Sequence, residues 1–164
     1  MWALGVRRAV VYAIAAIVAL LAWSVWRNIR ADRALRARLA SQNVLYEQRD
    51  IPATVTAWMA PLSYRSYRTT FDLVVTEHEA VLFRVPAFKA PPIEIRREGA
   101  PTRWGELVLV TPAEIVGDAV DLRSDPQRWA KMHVSFTASD PTALRRALET
   151  MQRSGFGPFP SPRA

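Results

Sequence analysis

The chain contains no cysteine, which excludes disulfides, cysteine-ligated zinc, iron-sulfur clusters and thiol catalysis. Lysine is nearly absent too: of 22 basic residues only Lys89 and Lys131 are lysine, a usage bias that fits a GC-rich bacterial genome. No glycine-rich phosphate cradle occurs, and none of the serines lies in a nucleophile elbow, so the common nucleotide-binding and hydrolase signatures are missing. Residues 9–26 carry no charge, and residues 27–48 hold neither proline nor glycine. The first absence describes a segment that water does not favour. The second describes one in which nothing breaks a helix.

What is present is unevenly placed. The 164 residues suffice for one ordinary domain plus an anchor or tail. The net charge is +7, a value that by itself suggests an anionic partner. Residues 1–50 account for +5 of it and residues 51–164 for only +2, so the excess belongs to the N-terminal segment. There AVVYAIAAIVALLAWSVW, residues 9–26, would span about 27 Å as a helix, close to the ~30 Å hydrocarbon core of a bilayer. Residues 1–8 read as a short tail and 9–26 as a single transmembrane helix. The run exceeds the apolar region of a signal peptide, and its end offers bulky tryptophans where a cleavage site needs small residues. Trp2, Trp23 and Trp26 fall where aromatic belts meet headgroups, with Arg7 and Arg8 before the span.

Immediately after it come Arg27, Arg30, Arg33, Arg36 and Arg38. The first four step by three, precessing about 60° each time around a helix, and so form a collar without the single stripe that a nucleic-acid arm would present. No nucleic-acid partner is expected. Such a collar beside a span is the positive-inside signal, and its attraction is to anionic lipid headgroups. This favours a cytoplasmic C-terminal domain on the inner membrane of a bacterium, the opposite orientation being the alternative because Arg7 and Arg8 would otherwise have to be translocated. Residues 27–50 are expected to continue as a helical stem, on which Ala31, Leu35 and Leu39 make a narrow seam that could meet a partner helix or the domain itself.

From residue 51 the pattern becomes strand-like. Candidate strands are 53–59, 67–76, 80–85, 92–97, 105–110, 115–122 and 131–138. Phe71, Leu73 and Val75 share one face of theirs, and Met132, Val134 and Phe136 one face of the last. SDPTALRRALETM then reads as an amphipathic helix over 140–153, with Asp140 as its cap, Pro141 in its first turn, and Leu144, Leu148 and Met151 on one side. Residues 154–164 form a Pro-rich tail. The expected fold is α+β: an antiparallel sandwich or partly open barrel of about seven strands over 51–153, closed by the C-terminal helix. With LVVTEHEAVLFRVP (73–86) and HVSFTASDPTALRRALE (133–149), residues 65–152 resemble membrane-anchored bacterial pleckstrin-homology-like proteins. That resemblance implies two nearly orthogonal sheets plugged by the helix. Its phosphoinositide-binding members carry a basic first hairpin, and TEHE here is acidic.

Few residues suggest chemistry. Glu77, His78 and Glu79 lack the second histidine of a helical zinc site, position 82 being Leu82, and are expected as a solvated turn. Asp118, Asp121 and Asp125 lack the glycine and terminal glutamate of a calcium loop. His133 is expected on a polar strand face, and Trp58, Trp104 and Trp129 in the core or at sheet edges. No cofactor, metal or catalytic group is expected. The function implied is a non-enzymatic, membrane-anchored scaffold or assembly factor. The alternative is an accessory subunit of a larger membrane complex, respiratory, photosynthetic or secretory, whose other subunits would be its partners.

Overall fold

A computed structural model describes residues 2–59, 63–98, 108–124 and 130–154, with backbone only at 2–9, 59, 63 and 130. The first element is one continuous helix, α1 (Trp2–Leu39). It is uninterrupted because residues 6–42 contain neither glycine nor proline. Its segment from Val10 is long and apolar enough to cross a membrane, and none of the apolar window is buried against the rest of the chain. Arg36 and Arg38 occupy the last turn, where cations favour the negative end of the helix dipole.

The helical stem ends sooner than expected. Residues 44–50 belong to the first strand, β1 (Val44–Met59). Tyr46, Ile51, Ala53 and Val55 turn inward along it, and the ladder to its neighbour shifts register between Gln48 and Ile51. Asp50 sits in that shift with φ of 52°, a left-handed conformation costly for most residues but tolerated by aspartate. The strand is long because its full length pairs with β2 (Ser63–Thr76) while Ala53–Met59 also pairs with β7 (Ala130–Thr137). Pro52 lies just before that second ladder begins, so its missing N–H costs no bond to β7.

The remaining strands are β3 (Ala80–Val85), β4 (Ile93–Arg97), β5 (Val108–Val116) and β6 (Ala119–Ser124), with a 3-10 turn at Ala87–Lys89. The seven strands close into a barrel in sequence order. This corrects the expected sandwich or open barrel: the double pairing of β1 leaves no free edge. The antiparallel expectation needs one correction as well, since β4 and β5 run parallel, Glu94 opposite Val108. Ten residues, 98–107, separate those two strands, more than the two to about five of a hairpin. Residues 115–122, expected as one strand, are instead a hairpin. Gly117 and Asp118 make a two-residue loop between Val116 and Ala119, and the glycine has φ of +62°, as the first position of a type II′ turn requires.

Inside the barrel, Phe71, Leu73 and Val75 from β2, Leu82 from β3 and Leu122 from β6 form one contiguous core. The last element, α2 (Pro141–Arg153), adds Leu144, Ala147, Leu148 and Met151 to that core. Asp140 caps it, a carboxylate oxygen accepting from the Ala143 amide at 2.8 Å. Each fully buried aliphatic side chain contributes about 1.5–3 kcal/mol, which is what holds the helix on the barrel.

Candidate functional site

Among the described residues, polar side chains gather at the joint with α1 and on the outer face of β6 and β7. The joint begins with a property of β3. Ala80 and Leu82 point into the core, and Val81 and Phe83 point outward, yet all four are fully buried. The outward pair is covered by Leu39 and Leu35 of α1, with Val74 beside them. The seam of Ala31, Leu35 and Leu39 is therefore occupied by the chain's own barrel; Leu39 and Leu35 are in that apolar contact and Ala31 is half-buried. A partner helix on this seam would have to displace β3.

Polar contacts border the apolar centre. Asn28 donates to the Phe88 carbonyl at 3.2 Å. Arg36 donates to Asp32 at 3.1 Å and to Asp72 at 2.9 Å, and its guanidinium lies 4.3 Å from the centre of the Phe83 ring. The other oxygen of Asp72 accepts from the Asp50 amide at 3.1 Å, so one carboxylate ties the irregular point of β1 to the stem. Arg38 pairs with Glu79, which also accepts from Gln42 at 2.7 Å. Glu77 accepts from Asn43 at 2.8 Å. The expected solvated turn at 77–79 is thus a latch for the end of α1: Glu79 is 5% exposed, and of the three only His78 is exposed. Glu79 is buried because the end of α1 and Gln42 lie against it.

The arginine collar divides accordingly. Arg36 and Arg38 flank the docked face, while Arg27, Arg30 and Arg33 face outward, Arg30 lying 5.1 Å from the Trp26 ring centre. Trp23 and Trp26 are exposed, their rings 5.0 Å apart and tilted by 33°. Trp2, Arg7 and Arg8 lie in the first turns of α1, with side chains outside the described residues.

On the far side of the barrel, His133 Nε2 stands 3.0 Å from Asp121 and 3.3 Å from the Ser135 hydroxyl. The residue types are those of a hydrolytic triad. The geometry is not, because a base that activates serine needs its orienting carboxylate on the other ring nitrogen, and here both partners share Nε2. The Ser135 hydroxyl, with help from the His133 imidazole and against partial burial, holds the Asp121 carboxyl below the usual carboxylate range. Beside this cluster a shallow recess of about 230 Å³ is lined by Trp58, Arg123, Lys131 and His133. Trp58 is 40% exposed, with the Lys131 ammonium 5.7 Å from its ring centre. Asp118 is in the Gly117 turn, and its carbonyl accepts from the Ala138 amide. Trp104, Asp125 and Trp129 lie outside the described residues, and among the described residues no group of three metal-ligating side chains occurs.

Asn28, Asp72, Glu79 and Phe83 were not singled out from sequence as parts of a joint. One signal could have found it: AVLF in β3 has no polar alternation, the mark of a strand covered on both faces. No protein-family model matches this chain, and neither does any curated protein or solved structure with which it was compared.

Proposed function

We propose that the protein is a non-enzymatic, membrane-anchored scaffold or assembly factor, with a pleckstrin-homology-like barrel on the cytoplasmic side of a bacterial inner membrane. One observation carries this reading. The helix that is apolar enough to span a membrane continues without a break into the stem on which the barrel is docked, so the barrel would be held at the bilayer surface in a fixed pose. The likeness to the pleckstrin-homology-like fold draws support from seven strands closed with a C-terminal amphipathic helix, while the parallel β4–β5 pair departs from it. Cytoplasmic placement draws on the arginines after the span.

With β3 and the Val74 end of β2 covered by α1, a face left open to a partner is that of β1, β6 and β7, where Trp58, Arg123 and Lys131 line a recess. Aromatic and arginine side chains of this kind anchor protein interfaces. The test is a photo-crosslinking side chain at position 58 in the full chain, followed by mild-detergent purification and mass spectrometry. A specific adduct that Lys131→Glu abolishes supports the reading; equal labelling at Trp58 and at the unrelated surface residue Thr142 overturns it.

A second reading, an accessory subunit of a larger membrane complex, takes its support from the span. From Val10 to Leu21 the apolar side chains stand clear of the barrel and offer their whole surface to lipid or to neighbouring helices. Copurification at fixed stoichiometry favours this reading over a transient scaffold.

A further inference from the structure

The 3-10 turn after β3 packs directly against α1 and is tied to it by a side-chain hydrogen bond, so it lies at a definite height. The Phe88 carbonyl accepts from Asn28 at 3.2 Å, and Asn28 follows the last residue of the apolar run, Trp26, by two positions. At ~1.5 Å per residue that is about 3 Å along the axis, inside the headgroup zone, which extends roughly 5–7 Å beyond the hydrocarbon core. Phe88 is 48% exposed and Lys89 is exposed beside it. An aromatic ring next to a cation at this depth is the chemistry of an interfacial anchor.

The backbone of the turn suits that place too. Pro86, Pro91 and Pro92 have no N–H to leave unpaired, and the Lys89 amide donates to the Pro86 carbonyl at 3.2 Å. The far end of the joint differs. His78, exposed beside Glu79, is held near Arg38 and Gln42, at least ten helical residues and so about 15 Å farther from the span.

We propose that the segment Pro86–Pro92 is a second membrane contact of this protein, with Phe88 seated at the boundary of headgroups and acyl chains and Lys89 on anionic headgroups. The proposal rests on the reading of α1 as a membrane span. Together with the span, this contact sets the tilt of the docked barrel against the bilayer plane.

Because the chain has no cysteine, single nitroxide labels can be placed without altering any native thiol. Full-length Ile17→Cys, Phe88→Cys and His78→Cys proteins are labelled, reconstituted in phosphatidylcholine–phosphatidylglycerol vesicles, and probed with a water-soluble nickel chelate and with oxygen. The label at 88 should lose most of its nickel accessibility relative to that at 78 and gain oxygen accessibility, taking a value between those at 78 and 17. Equal nickel accessibility at 88 and 78, with 17 protected, overturns the second contact and leaves the span intact. Nickel accessibility at 17 as great as at 78 overturns the span and the proposal with it.

Discussion

Single carboxylates decide how firmly the stem is held, and Glu79 is the clearest case. It is almost completely buried, and its partners are Arg38 and Gln42. Removing the arginine leaves a buried carboxylate with less compensation, whereas replacing the carboxylate by an amide keeps the shape and removes the demand. Arg38→Ala should therefore destabilise the domain by about 1–2 kcal/mol, discounted because the arginine is partly solvated, and Glu79→Gln by less. Urea unfolding of the two variants in detergent checks the order. Asp121 supports a different test. Its carboxyl is held low, first by the Ser135 hydroxyl, so its folded pKa lies below the unfolded value near 3.9. The stability it contributes is fully present above that unfolded value and is lost as pH falls through the folded one. The melting temperature of Asp121→Asn should thus sit below that of the parent by a constant amount near neutrality. The gap should close below about pH 4, where the unfolded carboxyl takes up its proton.

At the scale of elements, β3 has two apolar faces, one in the barrel core and one in the joint with α1, and substitutions in the two assemblies should separate. Phe71→Ala strikes the barrel core, where the ring is fully buried, and should cost about 3–5 kcal/mol. Leu39→Ala strikes the joint and should cost about 2–3 kcal/mol at most, since the site can partly collapse. Its effect should also be local: faster amide exchange at residues 28–43, with the β1, β6 and β7 amides unchanged. Uniform acceleration across the barrel would show that stem and barrel unfold together. The helix boundaries follow the same logic. Residues 44–50 have no helix breaker, yet they become strand because they pair with β2 and lead into Ala53–Met59, where β1 gains β7 as a second neighbour, which outweighs weak helical propensity.

For the whole molecule, the stem counts as part of the folded domain although it is continuous with the apolar segment of α1. A chain beginning at residue 28 keeps Asn28, Leu35, Arg36, Arg38 and Leu39, and should be soluble, monomeric and folded. A chain beginning at residue 43 uncovers Val81 and Phe83, which α1 now buries, and should aggregate or bind a hydrophobic dye. Size-exclusion chromatography and dye fluorescence of the two chains distinguish the outcomes. The same comparison tests whether the barrel can leave the stem. If the shorter chain is as well behaved as the longer, the joint is an optional contact.

Much of this was legible in the residues, and the reason is periodicity and punctuation. An eighteen-residue uncharged run, alternating strands and a capped amphipathic helix at Asp140 are local patterns, so the long apolar helix, the strand-rich domain and α2 could be read from the sequence directly. The hairpin at Gly117 was missed, 115–122 being expected as one strand, although a Gly-Asp pair is a turn signal. Closure of the barrel, the parallel β4–β5 pairing and the joint were decided only in three dimensions. Each depends on which distant residues meet: Ala53 with Phe136, Glu94 with Val108, Arg38 with Glu79. A charge on its own carries no mark of its partner, which is why the arginines after the span read as one collar when two of them fasten the barrel.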